Sequence, residues 1–210
     1  MDLLFVKSDG FSIDSLRIPA FQLRSGEGLC LHLPPIMFSP EVEQLIRVLT
    51  GKTPLSGIQL FGQVLWAAPV RNRRYGLTGL FRPMRVADWL SRIAGASPAQ
   101  VQTILQKLHP SRRDSCIEQL AGTPRTLLSI EAAWLAGADV VVFTTAALDP
   151  LGREAVYQAV ASRFPQNSAI HLSFPYLQNN QWQRQCFPGT TCLELRQATE
   201  PLCSLPPRTK

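Results

Sequence analysis

The chain has 210 residues, is 45% hydrophobic and carries a formal net charge of +6. That is enough for one sizeable core with a small subdomain, and no apolar run reaches the roughly 18 residues a membrane span needs. The basic clusters at Arg71 to Arg74 and Ser111 to Asp114 suit a solvated surface, or contact with nucleic acid, anionic lipid or an acidic protein face. No aromatic side chains interleave a basic strand as in a single-strand binder, so no nucleic-acid partner is expected.

From the N-terminus, MDLLFVKSDG has an early acid and lacks the basic-then-apolar build of a signal peptide, so the expected location is cytoplasmic. Three short apolar runs read as buried strands of a central parallel sheet: Gly28 to Leu33, Asp139 to Phe143 and Ala169 to Phe174. Gly57 to Ala67 is a fourth candidate, bent near Gly62. Helices lie between. One starts with Ser39 as N-cap and Pro40 in its first turn, and stops at Gly51. A second puts Val86, Trp89, Leu90 and Ile93 on one face. A third opens on a Ser97/Gln100 capping box and repeats Val101, Ile104, Leu105 and Leu108. A fourth runs from Thr123-Pro124 to Gly137. A fifth is capped by Asp149 and buries Ala155, Val156, Ala159, Val160 and Phe164. Strands alternating with helices argue for an α/β sheet. The helical block near Phe81 to Leu120 reads as an inserted subdomain, and the tail from residue 196 to 210 as loosely ordered.

The cysteines are Cys30, Cys116, Cys186, Cys192 and Cys203, an odd number with no CxxC pair. Buried thiols are expected, with a Cys186–Cys192 bridge as the alternative. His32, His109 and His171 show no HxH or HxxxH spacing, and no Cys/His cluster has zinc-finger spacing. A Cys–His pair assembled only by the fold stays open. There is no GxSxG elbow.

Four stretches carry a family likeness: LRSGEGLCLHL, LIRVLTGKTPLSGIQLFG, RPMRVADWL and LAGTPRTLLSIEAAWLAGADVVVFTTAALDPLGREAVYQAV. In this order they resemble the nucleotide-binding subunit of ABC transporters, over roughly Ser12 to Leu195. The resemblance implies a P-loop-NTPase-like, mainly parallel sheet flanked by helices, in a single domain with an inserted helical subdomain that meets the membrane permease. The departures fall at the chemistry. Where the P-loop should stand, the chain reads PPIMFSPEVEQ, Pro34 to Gln44, without the glycines and lysine that cradle phosphate. Val42 and Glu43 occupy the degenerate positions, and Glu41 and Glu43 put negative charge where a triphosphate would dock. Thr144 and Thr145 follow the strand that should end in catalytic carboxylates. LAGTP replaces the signature turn, and His171 sits three positions before the place of the switch histidine. Gln63 lies upstream of the place for a magnesium-coordinating glutamine.

Asp149 matches the family's D-loop aspartate, beside its role as a helix cap. Gly122 and Asp149 are therefore the implied dimer-interface residues. Phe81, Met84 and Arg85 are the candidate partner-binding residues, with Phe81 and Met84 expected to be exposed and Trp89 to anchor the subdomain core. The resulting expectation is a subunit that does not hydrolyse ATP and needs no metal or other cofactor. Its partners would be an ATP-competent ABC subunit or a second copy, and a permease at the inner face of the cell membrane. Two other readings remain: a soluble adaptor or regulator outside transport, and a divergent nucleotide-binding ATPase.

Overall fold

The protein is described by a computed structural model over residues 3–34, 39–68, 70, 84–92, 94–108, 116–164, 166–174 and 190–197. The element order begins with β1 (Leu4–Ser8), β2 (Phe11–Ile13), β3 (Leu16–Ile18), β4 (Phe21–Arg24), β5 (Gly28–His32), α1 (Pro40–Leu49), β6 (Ile58–Leu60) and β7 (Val64–Trp66). It continues with α2 (Val86–Arg92), α3 (Pro98–Leu108), a 3-10 turn (Ile117–Gln119), α4 (Gly122–Leu135) and β8 (Val140–Thr144). The last elements are α5 (Pro150–Ala161), β9 (Ser168–Ser173), β10 (Thr191–Glu194) and β11 (Arg196–Gln197).

The centre is a five-stranded sheet in the order β10-β5-β9-β8-β7, with every neighbouring pair parallel. The three expected core strands lie in it, each within a residue or two of its expected bounds. β5 and β9 are buried at every position, as a strand covered on both faces must be. Leu29, Leu31, Val140, Val142, Ile170 and Leu172 pack with Val42, Leu45, Val48 and Leu49 of α1. Val141, Phe143 and Ala169 pack with Ile130 and Ala133 of α4 and with Val156, Tyr157 and Val160 of α5. The sheet is thus flanked by helices on both sides.

The N-terminal strands were not anticipated. β4-β1-β6 and β11-β3-β2 form two small antiparallel sheets. Their alternation is clear: Phe21 and Leu23 are buried while Gln22 and Arg24 are exposed. The β2–β3 turn places Asp14 at φ 46°, a left-handed conformation that a short polar side chain tolerates. The bend at Gly62 is real and larger than expected. β6 pairs with β1 in one sheet and β7 with β8 in another. A Cβ on Gly62 would lie 2.8 Å from the Phe5 ring and 3.1 Å from an Asp139 oxygen. Only glycine lets the chain cross there, and Asp139 then accepts the Gln63 N–H at 2.7 Å.

Helix starts follow local chemistry. Ser39 accepts from Val42 N–H at 3.4 Å, and α1 ends where Gly51 adopts φ +69°. The Ser97/Gln100 box forms in both directions, at 2.8 and 3.4 Å. In α5 the buried stripe is Gly152, Val156, Tyr157 and Val160, while Ala155 and Ala159 are half-buried. The expected stripe is rotated because Tyr157 turns inward.

The helical block forms its own cluster of Met84, Val86, Trp89, Leu90, Val101, Ile104, Leu105 and Ile117, joined to Leu128 of α4. Trp89 anchors it as expected. Met84 does not project from it. It is 5% exposed, and its carbonyl accepts the Ile117 N–H at 2.9 Å, which ties the strand-like entry of the block down. The expectation of an exposed Met84 is corrected accordingly. Phe81, His109, Cys186, the arginine clusters and residues 198–210 lie outside the described residues, while Arg196–Gln197 pair with β3.

Candidate functional site

In an open parallel sheet, ligand chemistry gathers at the carboxyl ends of the strands. Here that edge joins the end of β5, the start of α1, the end of β8, and the starts of α4 and α5. The α1 start is acidic. Glu41 and Glu43 occupy its first turn, where they complement the helix dipole. The Glu41 carboxyl is held below its ordinary pKa by the hydrogen bond from Ser39 and then by its own backbone N–H, so its charge persists. Glu43 pairs with Arg47 at 2.8 Å one turn on, and Val42 is buried in the core. The first turn of α1 thus carries two carboxylates.

The end of β8 is turned the other way. Thr145 is fully buried. Its hydroxyl lies 3.1 Å from His171 Nε2 and 3.3 Å from the Tyr157 hydroxyl. Thr144 is half-buried, and its Oγ1 accepts from the Ala146 N–H at 3.3 Å. His171 stacks on Phe143 with ring centroids 4.9 Å apart and meets Tyr157 edge-on at 5.2 Å. Its Nδ1 lies 3.7 Å from Cys30 Sγ. Burial, with smaller contributions from the charges of His32 and Arg153, pushes its pKa down to about 3. The imidazole is therefore neutral, a buried histidine with partners on both ring nitrogens. Gln63 is also occupied structurally: its side-chain N–H₂ donates to the Ala136 carbonyl at 3.3 Å.

The starts of α4 and α5 come together. Asp149 is exposed and caps α5 by accepting from Gly152 N–H at 2.7 Å. A Cβ on Gly152 would collide with the Thr123 hydroxyl, and one on Gly122 would press on Leu148 at 3.0 Å. Gly122 and Asp149 are thus on one exposed ridge, as partners of a single helix-start junction. Behind it, Glu131 of α4 is buried and paired with Arg163 at 2.6 Å, and that guanidinium lies over the Trp134 ring at 4.9 Å. Arg85 is exposed beside Met84 and forms an isolated bridge with Cys116. The large apolar side chains exposed among the described residues are Leu3, Phe61 and Leu151, none of them in the helical block. No described helix is long and apolar enough to cross a membrane.

One grouping escaped the sequence reading. Cys30, His32 and Cys192 offer ligand atoms that all lie within 4.8 Å of one another. The i,i+2 spacing of Cys30 and His32 was a signal for the first two, but nothing in the sequence points to Cys192.

This arrangement, a five-stranded parallel sheet flanked by helices, is the fold of ABC-transporter ATPase subunits. The chain is similar to a bacterial Atm1-family ABC exporter with ATP bound, at 15% identity and a TM-score of 0.65 over 93% of this chain and 38% of that one. It is similar to an ATP-binding cassette of an ABC transporter in its ADP conformation, at 13% identity and 0.63 over 94% and 92%. It is similar also to cbiO1 of the cbiONQ ABC transporter complex from Clostridium perfringens, at 11% and 0.63 over 93% and 86%. No protein-family model and no curated protein matches the sequence.

Proposed function

We propose that the chain is an ABC-ATPase-like subunit that does not turn over ATP and acts as a structural or regulatory partner in an ABC transporter assembly. The observation that carries this reading is Thr145. At the place where the fold's ATPases need a carboxylate facing a bound phosphate, a neutral hydroxyl is buried and spent on His171 and Tyr157. Threonine cannot serve as a base near neutral pH, and the acidic first turn of α1 adds repulsion against a triphosphate. What the scaffold retains is its helix-start ridge with Gly122 and Asp149, a surface on which a second nucleotide-binding subunit would sit. An ATP-competent subunit or a second copy is the expected partner there, and a permease subunit the expected partner of the helical block.

The test is binding. A ligand present at 100 times its Kd stabilises a fold by about 2.7 kcal/mol. Mg-ATP should therefore leave the melting temperature unchanged, and a saturable shift would overturn the reading in favour of a divergent nucleotide-binding ATPase. Co-purification of the tagged chain with ABC ATPase and permease subunits is the positive arm.

A soluble adaptor is the second reading, and one observation favours it. No large apolar side chain is exposed on the described part of the helical block, where a permease contact would call for one. Recovery of the chain from the soluble fraction alone, with no ABC subunit attached, would select this alternative.

A further inference from the structure

We propose that Cys30, His32 and Cys192 form a three-ligand site for a thiophilic divalent cation, Zn²⁺, which clamps the edge strand β10 onto the central sheet. The placement comes from strand geometry. Successive side chains on a strand alternate between faces, so Cys30 and His32 of β5 share one face. β10 runs parallel to β5 with Cys192 in register opposite Cys30. The three donors therefore meet on one side of two adjacent strands, within 4.8 Å of one another. Cys30 Sγ lies 3.8 Å from His32 Nε2 and 4.0 Å from Nδ1. With Zn–S near 2.3 Å and Zn–N near 2.0–2.1 Å, two ligand atoms of a tetrahedral site stand about 3.6–3.8 Å apart. The Cys30–His32 pair is already at that spacing, and a modest closure brings Cys192 in.

The donor chemistry selects the ion. Two thiolates and an imidazole suit zinc, whereas magnesium and calcium require oxygen ligands. Among the described residues this is the cluster of three or more such groups that could hold an ion. Support comes from behind it. The imidazole of His171, in the tautomer that carries hydrogen on Nδ1, donates toward Cys30 Sγ across 3.7 Å, while Nε2 accepts from the Thr145 hydroxyl at 3.1 Å. Tyr157 extends that chain by 3.3 Å. Such outer partners orient thiolate and imidazole ligands and tune metal affinity. Cys192 lies at the exposed margin, so ions have an entry path and a solvent molecule can complete the tetrahedron.

The structural consequence is specific. In its sheet β10 pairs on one side only, with β5, and Thr191, Cys192 and Glu194 are exposed. Zinc bound between Cys30 and Cys192 would cross-link this edge to the buried β5, and its binding energy would add to folding energy. This inference is independent of whether the chain binds ATP.

The test uses the full chain, reduced and freed of metal by chelation. Cobalt(II) is the optical probe. One equivalent should produce a thiolate-to-cobalt charge-transfer band with tetrahedral visible bands, and one equivalent of Zn²⁺ should displace it. Cys192→Ser, at an exposed edge position, should abolish the charge-transfer band or weaken Zn²⁺ binding at least about tenfold, with unchanged circular dichroism. His32→Asn is the second ligand variant and should act alike. Cys116→Ala should bind as the wild type does. Amide exchange at residues 191–194 should slow on adding Zn²⁺. The proposal fails if the reduced wild type gives no charge-transfer band. It fails equally if Cys192→Ser retains full affinity, if Cys116→Ala loses it, or if the native chain holds Cys30 and Cys192 as a disulfide rather than as metal-binding thiols.

Discussion

The start of α1 and the end of β8 sit at the same edge of the central sheet, and they turn their polar groups in opposite directions. At α1 the polar groups lie toward the surface: Ser39 and Glu41 are half-buried, Glu43 is exposed, and among the described residues Glu43 pairs with Arg47. At β8 the polar groups point inward: Thr145, His171 and Tyr157 satisfy one another in the core. The difference teaches which region tolerates a new side chain. A surface helix start accepts a new side chain at small cost, whereas a site absorbed into the core resists one, because a buried charge without a partner loses its hydration.

Thr145→Glu probes the inward site most severely. It puts a carboxylate among Phe143, Tyr157 and His171, and the expected loss of stability is about 4 kcal/mol, read from the urea midpoint. ATP turnover should stay at background. A stable Thr145→Glu chain with turnover would erase the distinction between the two regions. Next in size, Arg163→Ala should cost about 3 kcal/mol, because it removes the guanidinium paired with the buried Glu131 carboxylate at 2.6 Å. The double variant Arg163→Ala/Glu131→Gln should recover part of that loss, and no recovery would mean the pair is not the source.

His171 gives the inward region a pH signature. Its folded pKa of about 3 lies below its ordinary value of 6.5, so the unfolded chain binds a proton that the folded chain refuses. The contribution is fully present above pH 6.5 and is lost progressively as the pH falls toward 3. Between pH 7 and 5, with chelator present, wild type should lose about 2 kcal/mol more stability than His171→Gln. Equal losses would mean that His171 is protonated in the fold.

Smaller effects belong to the outward-facing starts. Asp149→Ala removes the bond to Gly152 N–H and should cost about 1 kcal/mol, measured by thermal melting. Glu43→Ala should change stability by less than about 0.5 kcal/mol, since it breaks an exposed i,i+4 pair. It should also leave Mg-ATP unbound. A larger effect of Glu43→Ala would mean that this carboxylate holds the helix start through more than the Arg47 pair, and would weaken the contrast with β8.

What could be read along the chain was what the chain decides locally. Helix starts at Ser39, Ser97 and Asp149 depend on a side chain meeting an N–H two or three residues ahead, and each of those bonds forms. The apolar runs that became β5, β8 and β9 announce burial on two faces by composition alone. The family likeness carried the parallel sheet and its flanking helices, and the absence of a P-loop lysine was visible in the letters themselves. Which way a side chain faces at the end of a strand was not. Thr145 could equally have met solvent; only packing of α5 against β8 and β9 brings Tyr157 and His171 to it. Met84 read as exposed because its burial depends on Ile117, far away in sequence. The Gly57 to Ala67 run hid a change of sheets that Phe5 and Asp139 impose on Gly62. The alignment of Cys192 with Cys30 joins strands from opposite ends of the chain. Local rules reach three or four residues along a helix or two along a strand, so contacts of that sequence separation are decided only when the sheet assembles.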